Sequence, residues 1–293
     1  MNEFDDLFLP PEHSDFDIEA WKEQKRSEHT IVYNMLDEMT MRVAKEGNAF
    51  QGYLDVQAKF IHQSVSNSLL IAAQYPAAIQ LLQFNDWKNK GGYVRKNEHG
   101  IYLLKRSDEY QREDGTTGVY YKPTKYFDIS QIKGIPLPSN LPLSDNMRLK
   151  AEIETAPVRP VINEDLPEEI DARYSPEQHV IQVKRGLEPD YLFGILAQEL
   201  AHMEMDTRDG TYSRTACAFP AYAVSYMLCQ RYGVPTHPYQ FDQVAEQFQG
   251  MDAKAVRNEL NVLRNLNFKL ASRMDRNIHI QRSQQAKKSA PER

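Results

Sequence analysis

Gln198, Glu199, His202 and Asp206 are the residues whose types and spacing point first to chemistry. Gln198, His202 and Asp206 recur every four residues, so on a helix they form one polar stripe, while Leu192, Ile195, Leu196, Leu200 and Met203 cover the buried sides. The stretch nearly matches His-Glu-x-x-His, in which two imidazoles one turn apart hold zinc and the glutamate polarises its bound water. Gln198 stands in the first histidine position, and a neutral amide oxygen is a poor zinc ligand beside imidazole. Glu199 is then a relic general base, and His202 alone does not hold an ion. The competing reading is an ordinary amphipathic helix, in which an isolated Glu-x-x-His arises by chance. A different zinc site that recruits Asp206 or Cys217 with His202 is disfavoured, because four tetrahedral positions must be filled and a helix offers neighbours only at fixed offsets.

The elements that must position these groups follow from periodicity. After an acidic leader (1–14) ending near Pro10-Pro11, Ile18, Trp21, Val32, Met35, Leu36, Met39 and Val43 keep helical spacing until Gly47. A second helix carries Tyr53, Leu54, Phe60 and Ile61, and a third, from Ser66 to Gln74, opens on a capping serine and stops before Pro76. The period then changes. Tyr93–Arg95 and Ile101–Lys105 read as two strands around the turn Asn97–Gly100, with further short strands at Val119–Tyr121 and Tyr126–Ile129. From Gly134 to Pro142 the composition favours extended backbone, which places a linker at 134–143 between an N-terminal unit (15–133) and a second domain (144–282). That second half reads as a short helix, a hairpin of Glu169–Tyr174 and His179–Val183, the polar-striped helix, another helix ending at Tyr232-Gly233, and a long helix over 251–282. The polar tail, 283–293, lacks apolar anchors and is expected to be disordered. The fold class is α+β.

Basic residues cluster in the N-terminal unit. Lys88, Lys90, Arg95, Lys96, Lys105 and Arg106 lie close to Trp87, Tyr93 and Tyr102, and Lys122 and Lys125 lie beside Tyr120 and Tyr121. Cations that track phosphates, interleaved with rings on which bases stack, are the ingredients of a sequence-tolerant single-strand groove. A solvated strand face with its aromatics buried behind it has the same composition.

The run Phe60–Pro76, followed by Trp87-Lys88, Gly92–Lys96, Gly100–Leu104 and Phe127–Gln131, resembles the N-terminal domain of ArdC-like antirestriction proteins. That resemblance implies a protein of conjugative plasmids or related mobile elements. Its N-terminal domain would be associated with single-stranded DNA binding, and a zincin-like metallopeptidase domain would follow. Asn67 matches the family's Asn before Leu-Leu-Ile, and Trp87 and Arg95-Lys96 match its Trp-Lys and basic hairpin; Asn67 as a helix cap and Trp87 as core stay equally open. The resemblance also implies a third metal ligand, a glutamate on the next helix. Here Thr215–Cys229 contains no acidic residue, and the corresponding place falls near Pro220–Tyr222. The implied metal site, Gln198, His202 and Tyr222, is therefore degenerate, and no catalytic residue and no cofactor are expected. Gln198 and Tyr222 are expected to hydrogen-bond with His202 in the space of the missing ion.

Length and charge bound the rest. The chain has 293 residues, 41% of them hydrophobic and 26% charged, with no apolar run long enough to cross a bilayer. An acidic N-terminus and only two cysteines, Cys217 and Cys229, suit the cytoplasm and exclude a disulfide framework. A net charge of −6 excludes wholesale attraction to nucleic acid, so DNA binding must be local. The expected function is a single-stranded-DNA-binding accessory protein with an inactive metallopeptidase-like domain. The alternatives are an active zinc protease with a non-standard ligand set, and an adaptor for a restriction enzyme or DNA-transfer protein.

Overall fold

The computed structural model describes residues 18–111, 115–138 and 142–289, so the acidic leader lies outside the described residues. Helix α1 (Ile18–Val43) buries Val32, Leu36, Thr40 and Val43, one per turn, on a single face. Helix α2 (Gly47–Lys59) begins where a Cβ on Gly47 would lie 2.6 Å from the Phe241 carbonyl oxygen, so glycine there permits the close approach. Helix α3 (Val65–Gln74) is capped by Ser64 rather than Ser66: the Ser64 hydroxyl accepts from the Asn67 N–H at 3.2 Å.

Strand β1 (Leu81–Gln83), helix α4 (Phe84–Asn89), β2 (Tyr93–Val94), β3 (Ile101–Gln111), β4 (Thr117–Asp128) and β5 (Ile132–Lys133) complete the first half. The expected hairpin around Asn97–Gly100 does not form. β2 pairs with β5, while β3 pairs with β4 in an antiparallel sheet of order β1-β4-β3. The two short strands expected within 119–129 are one long strand. Pro123 is tolerated in it because β1 reaches only Tyr126–Asp128, so at Pro123 the other side of β4 is an edge. Buried Asp128 anchors the β4 end by accepting from the N–H groups of Ile79 (2.6 Å), Gln80 (2.9 Å) and Ser130 (2.8 Å).

The second half runs α5 (Asp145–Ile153), β6 (Val161–Ile162), β7 (Ala172–Ser175), β8 (Val180–Val183), α6 (Pro189–Met205), α7 (Arg214–Tyr232), α8 (Val244–Gln247) and α9 (Ala253–Ser289). The β7–β8 hairpin forms as expected, and β7 is an edge strand in the order β6-β8-β7. Helix α9 continues to Ser289, well into the stretch expected to be disordered. Gln, Ala and Lys are good helix formers, and no stop signal precedes Pro291.

The halves share one continuous core, which is not divided at the Pro-rich stretch. Phe50 of α2 packs against Phe219, Phe241 and Phe248, with ring centroids 5.4, 5.1 and 6.0 Å apart. Polar contacts follow the same seam: the Tyr226 hydroxyl donates to Asp55 (2.6 Å), Arg231 to the Ala58 carbonyl (3.0 Å) and Arg264 to the Gln63 carbonyl (3.1 Å).

Helix α3 closes the free edge of β3 with two side-chain amides. Asn67 exchanges hydrogen bonds with the Leu104 N–H (2.8 Å) and carbonyl (3.2 Å), and Gln74 does the same with Tyr102 at 2.9 Å each. One helix thus takes the part of a neighbouring strand. Asn67→Ala and Gln74→Ala are each expected to cost about 1–3 kcal/mol, since each leaves a strand N–H and carbonyl unpaired. Urea unfolding measures this, and unchanged midpoints in both variants would show that the amides do not support the edge.

Candidate functional site

Helix α6 starts at Pro189, a residue suited to the first helical position, and buries Phe193, Leu196, Ala197 and Leu200 against its neighbours. That packing carries Glu199 and His202 inward as well: they retain 3% and 1% of their exposure. A buried carboxylate needs partners, and Glu199 has three donors. Arg214, in the first turn of α7, forks onto it, with Nη1 2.9 Å from Oε2 and Nη2 2.5 Å from Oε1; the Tyr174 N–H of edge strand β7 donates to Oε2 at 2.7 Å. Hydrogen bonding to Glu199 raises the Arg214 pKa further, so the guanidinium stays charged.

The expected triad does not assemble. His202 Nδ1 lies 3.1 Å from the Tyr212 hydroxyl, the two rings edge to face, and Tyr222 is elsewhere: its hydroxyl accepts from the Gln240 N–H at 2.9 Å. Gln198 and Tyr222 instead share the wall of a cleft of about 430 Å³, with Gly194, Ile195 and Tyr239. Pro220 sits inside α7, at the place expected of a third ligand. Asp206 is no free donor either, since it accepts from the Tyr174 hydroxyl (2.7 Å) and the Arg208 N–H (2.8 Å). The Tyr174 bond is the main reason its carboxyl lies below the usual range. The Cys217 thiol is half-buried and pushed up by that burial.

These donors do not fit a divalent ion as they stand: both Glu199 oxygens are occupied, and a fixed guanidinium lies where added positive charge would be repelled. Among the described residues, no group of three or more His, Cys, Asp or Glu side chains is disposed to hold one. A separate recess of about 340 Å³ opens beside the pair, lined by Arg173, Tyr174, Gln182, Tyr212 and Arg214. Arg214, Tyr212 and Tyr174 are absent from the sequence-derived site. A cation in the first turn opposes the positive end of the helix dipole, and that misfit was the one signal marking Arg214.

The residues read as a nucleic-acid interface divide into two groups. Trp87 is 1% exposed and its indole N–H donates to the Phe127 carbonyl at 2.8 Å; Asn67 is spent on the β3 edge. Both have their polar groups committed within the fold. Lys88 and Lys90 are exposed on and just after α4, Tyr93 is 66% exposed on β2, and Arg95 and Lys96 are exposed in the following turn, where Arg95 lies 3.7 Å from Glu98. Beyond Leu104, β3 and β4 run on together as an exposed two-stranded ribbon. Lys105 stands directly opposite Lys122, Arg106 pairs with Glu109, and the Lys125 ammonium lies 5.2 Å above the Tyr102 ring. Tyr120 and Tyr121 are about half exposed, and Tyr110 packs on Tyr120 with centroids 4.3 Å apart. No helix among the described residues is long and apolar enough to cross a membrane.

Burial pushes the His202 pKa down from 6.5 to about 4, the Arg214 cation adding to the effect and the Glu199 anion opposing it. The unfolded chain therefore takes up this proton first. The histidine's contribution is complete above about pH 6.5 and is lost as the pH falls toward 4. Substituting His202→Gln is expected to flatten the acid side of the stability profile by about 2–4 kcal/mol, read from urea midpoints across that range. Parallel profiles for the two proteins would rule out a buried neutral imidazole.

No family model and no curated protein matches the chain. Among solved structures, it is similar to the metal-free crystal structure of the antirestriction protein ArdC from plasmid R388. Identity there is 20% and the TM-score 0.47, over 73% of this chain and 84% of that one. It is also similar to the Mn(II)-bound structure of ArdC from the same plasmid, at 16% identity and a TM-score of 0.49, over 83% of this chain and 97% of that one.

Proposed function

We propose that the chain binds single-stranded DNA through the β3–β4 ribbon and the adjoining basic turn. In this reading it serves an antirestriction role for a mobile element in the cytoplasm, and its α6–α7 half is a scaffold that hydrolyses nothing. The observation that carries the reading is the ribbon itself, which extends past the core with Tyr110, Tyr120 and Tyr121 exposed beside Lys105 and Lys122. Two lysines directly opposite one another repel, and so do not stabilise a sheet. A phosphate between them would relieve that repulsion, while neighbouring rings offer faces to unpaired bases. Lys125, whose stem lies against Gly100, is a further exposed cation on β4, and Lys96, Lys90 and Lys88 are exposed on the preceding turn and on and just after α4. The sequence runs around 60–76 and 87–131 that resemble ArdC-like proteins support the same assignment.

The rival metallopeptidase reading requires Glu199 to accept a proton from water, and its oxygens are engaged by Arg214 and Tyr174. An extended peptide beside β7 would likewise compete with Glu199 for the Tyr174 N–H.

Fluorescence anisotropy with a labelled single strand tests the proposal. Lys105→Ala/Lys122→Ala and Lys88→Ala/Lys90→Ala/Arg95→Ala/Lys96→Ala are each expected to weaken binding and to make the salt slope shallower by roughly 0.7 for every phosphate left unneutralised. Tyr120→Ala is expected to cost about 1–3 kcal/mol with little change in that slope. Lys254→Ala, on an exposed position at the start of α9, serves as the control. No binding by the wild type, or equal affinity in all variants, would sink the reading.

A further inference from the structure

The pairing of Arg214 with Glu199 has the geometry of a site whose cation is part of the chain. We propose that the Arg214 guanidinium is the resident counter-charge of this pocket, in the role that a divalent ion would otherwise fill, and that the same pair locks edge strand β7 onto α6. The inference rests on the scaffold half of the reading above and is independent of DNA binding.

Three observations carry it. First, the contact is a two-pronged fork onto a carboxylate whose side chain is 5% exposed, so Glu199 has no recourse to water and depends on this one cation. Second, Glu199 also accepts the Tyr174 N–H, a group on the side of β7 away from β8. The carboxylate thereby joins three elements, namely β7, α6 and the start of α7. Third, the neighbouring donors are already engaged with one another: His202 with Tyr212, and Asp206 with Tyr174 and Arg208. Placing Arg214 at the unfavourable end of α7 costs helix-dipole energy, which its ion pair with the buried Glu199 offsets.

The lock makes two measurable statements about the full-length chain. Wild-type protein titrated with zinc or manganese chloride and then desalted is expected to retain far less than one equivalent, and its melting temperature with either salt is expected to match that in chelator. Elemental analysis and thermal unfolding read these, and neither needs a variant. Stoichiometric retention of either metal with a rise in melting temperature reversed by chelator would overturn the proposal.

The second statement is energetic. Arg214→Gln and Glu199→Gln are each expected to lower the melting temperature by roughly 8 °C, and the double variant by clearly less than the sum. Arg214→Lys, which keeps the charge and loses the fork, is expected to fall between wild type and Arg214→Gln, and it remains informative should the glutamine variants fail to fold. Hydrogen exchange adds a local readout: the Tyr174 amide is expected to exchange faster in Glu199→Gln, with the α2 amides unchanged. Additive melting losses, Arg214→Lys equal to Arg214→Gln, or a Tyr174 amide indifferent to Glu199 would overturn the proposal.

Discussion

One buried carboxylate sets the arrangement of the second half. With a Glu199 side chain only 5% exposed, the fold must bring it hydrogen-bond donors, and it does so from two directions. Arg214 fixes where α7 begins relative to α6; the Tyr174 N–H fixes where β7 lies against α6. The neighbouring polar groups then fall into place around that point, with Tyr212 turned onto His202 and the Tyr174 hydroxyl on Asp206. Replacing such a pair with apolar groups is often harmless to stability, whereas removing one member is not, so the pair is better understood as fixing geometry than as adding strength.

A related solution holds the first half. There the open edge of β3 is met by amides instead of by another strand, and Asp128 gathers three backbone N–H groups at the far end of β4. In both halves, side chains supply hydrogen bonds that regular structure leaves unmade. At the ribbon's outer end Tyr110 lies over its cross-strand partner Gly118, where any side chain would collide with the ring. The glycine thus leaves the ring room to lie across the strand pair.

Much of the architecture was legible in sequence because it is written in local periodicity. The helices α1, α6 and α7 and the β7–β8 hairpin follow from spacing, as does α2 through Tyr53 and Leu54, although it ends at Lys59 and leaves Phe60 and Ile61 outside it; Gly233, with φ +71°, ends α7 as a C-terminal glycine should. Pairing across distance was not legible. β2 is two residues long, too short for its own pattern to choose a partner, so nothing local distinguished β5 from β3. At the candidate site, the polar stripe of α6 was visible but its partners were not: Arg214 lies 15 residues from Glu199, on another helix, and belongs to no motif. Trp87 and Asn67 show the converse, since residue type alone does not distinguish an exposed ring or amide from one turned inward.

Helix α9 has a mechanical consequence. Its 37 residues span roughly 55 Å, and it packs on α1 and α3 as well as on α5, α6 and α7. A strut crossing both halves opposes any hinge between them, because opening would tear apolar surface from one side or the other. The two halves therefore do not close on one another like jaws, and any large change of shape is left to the parts that project beyond the shared core, the β3–β4 ribbon first among them.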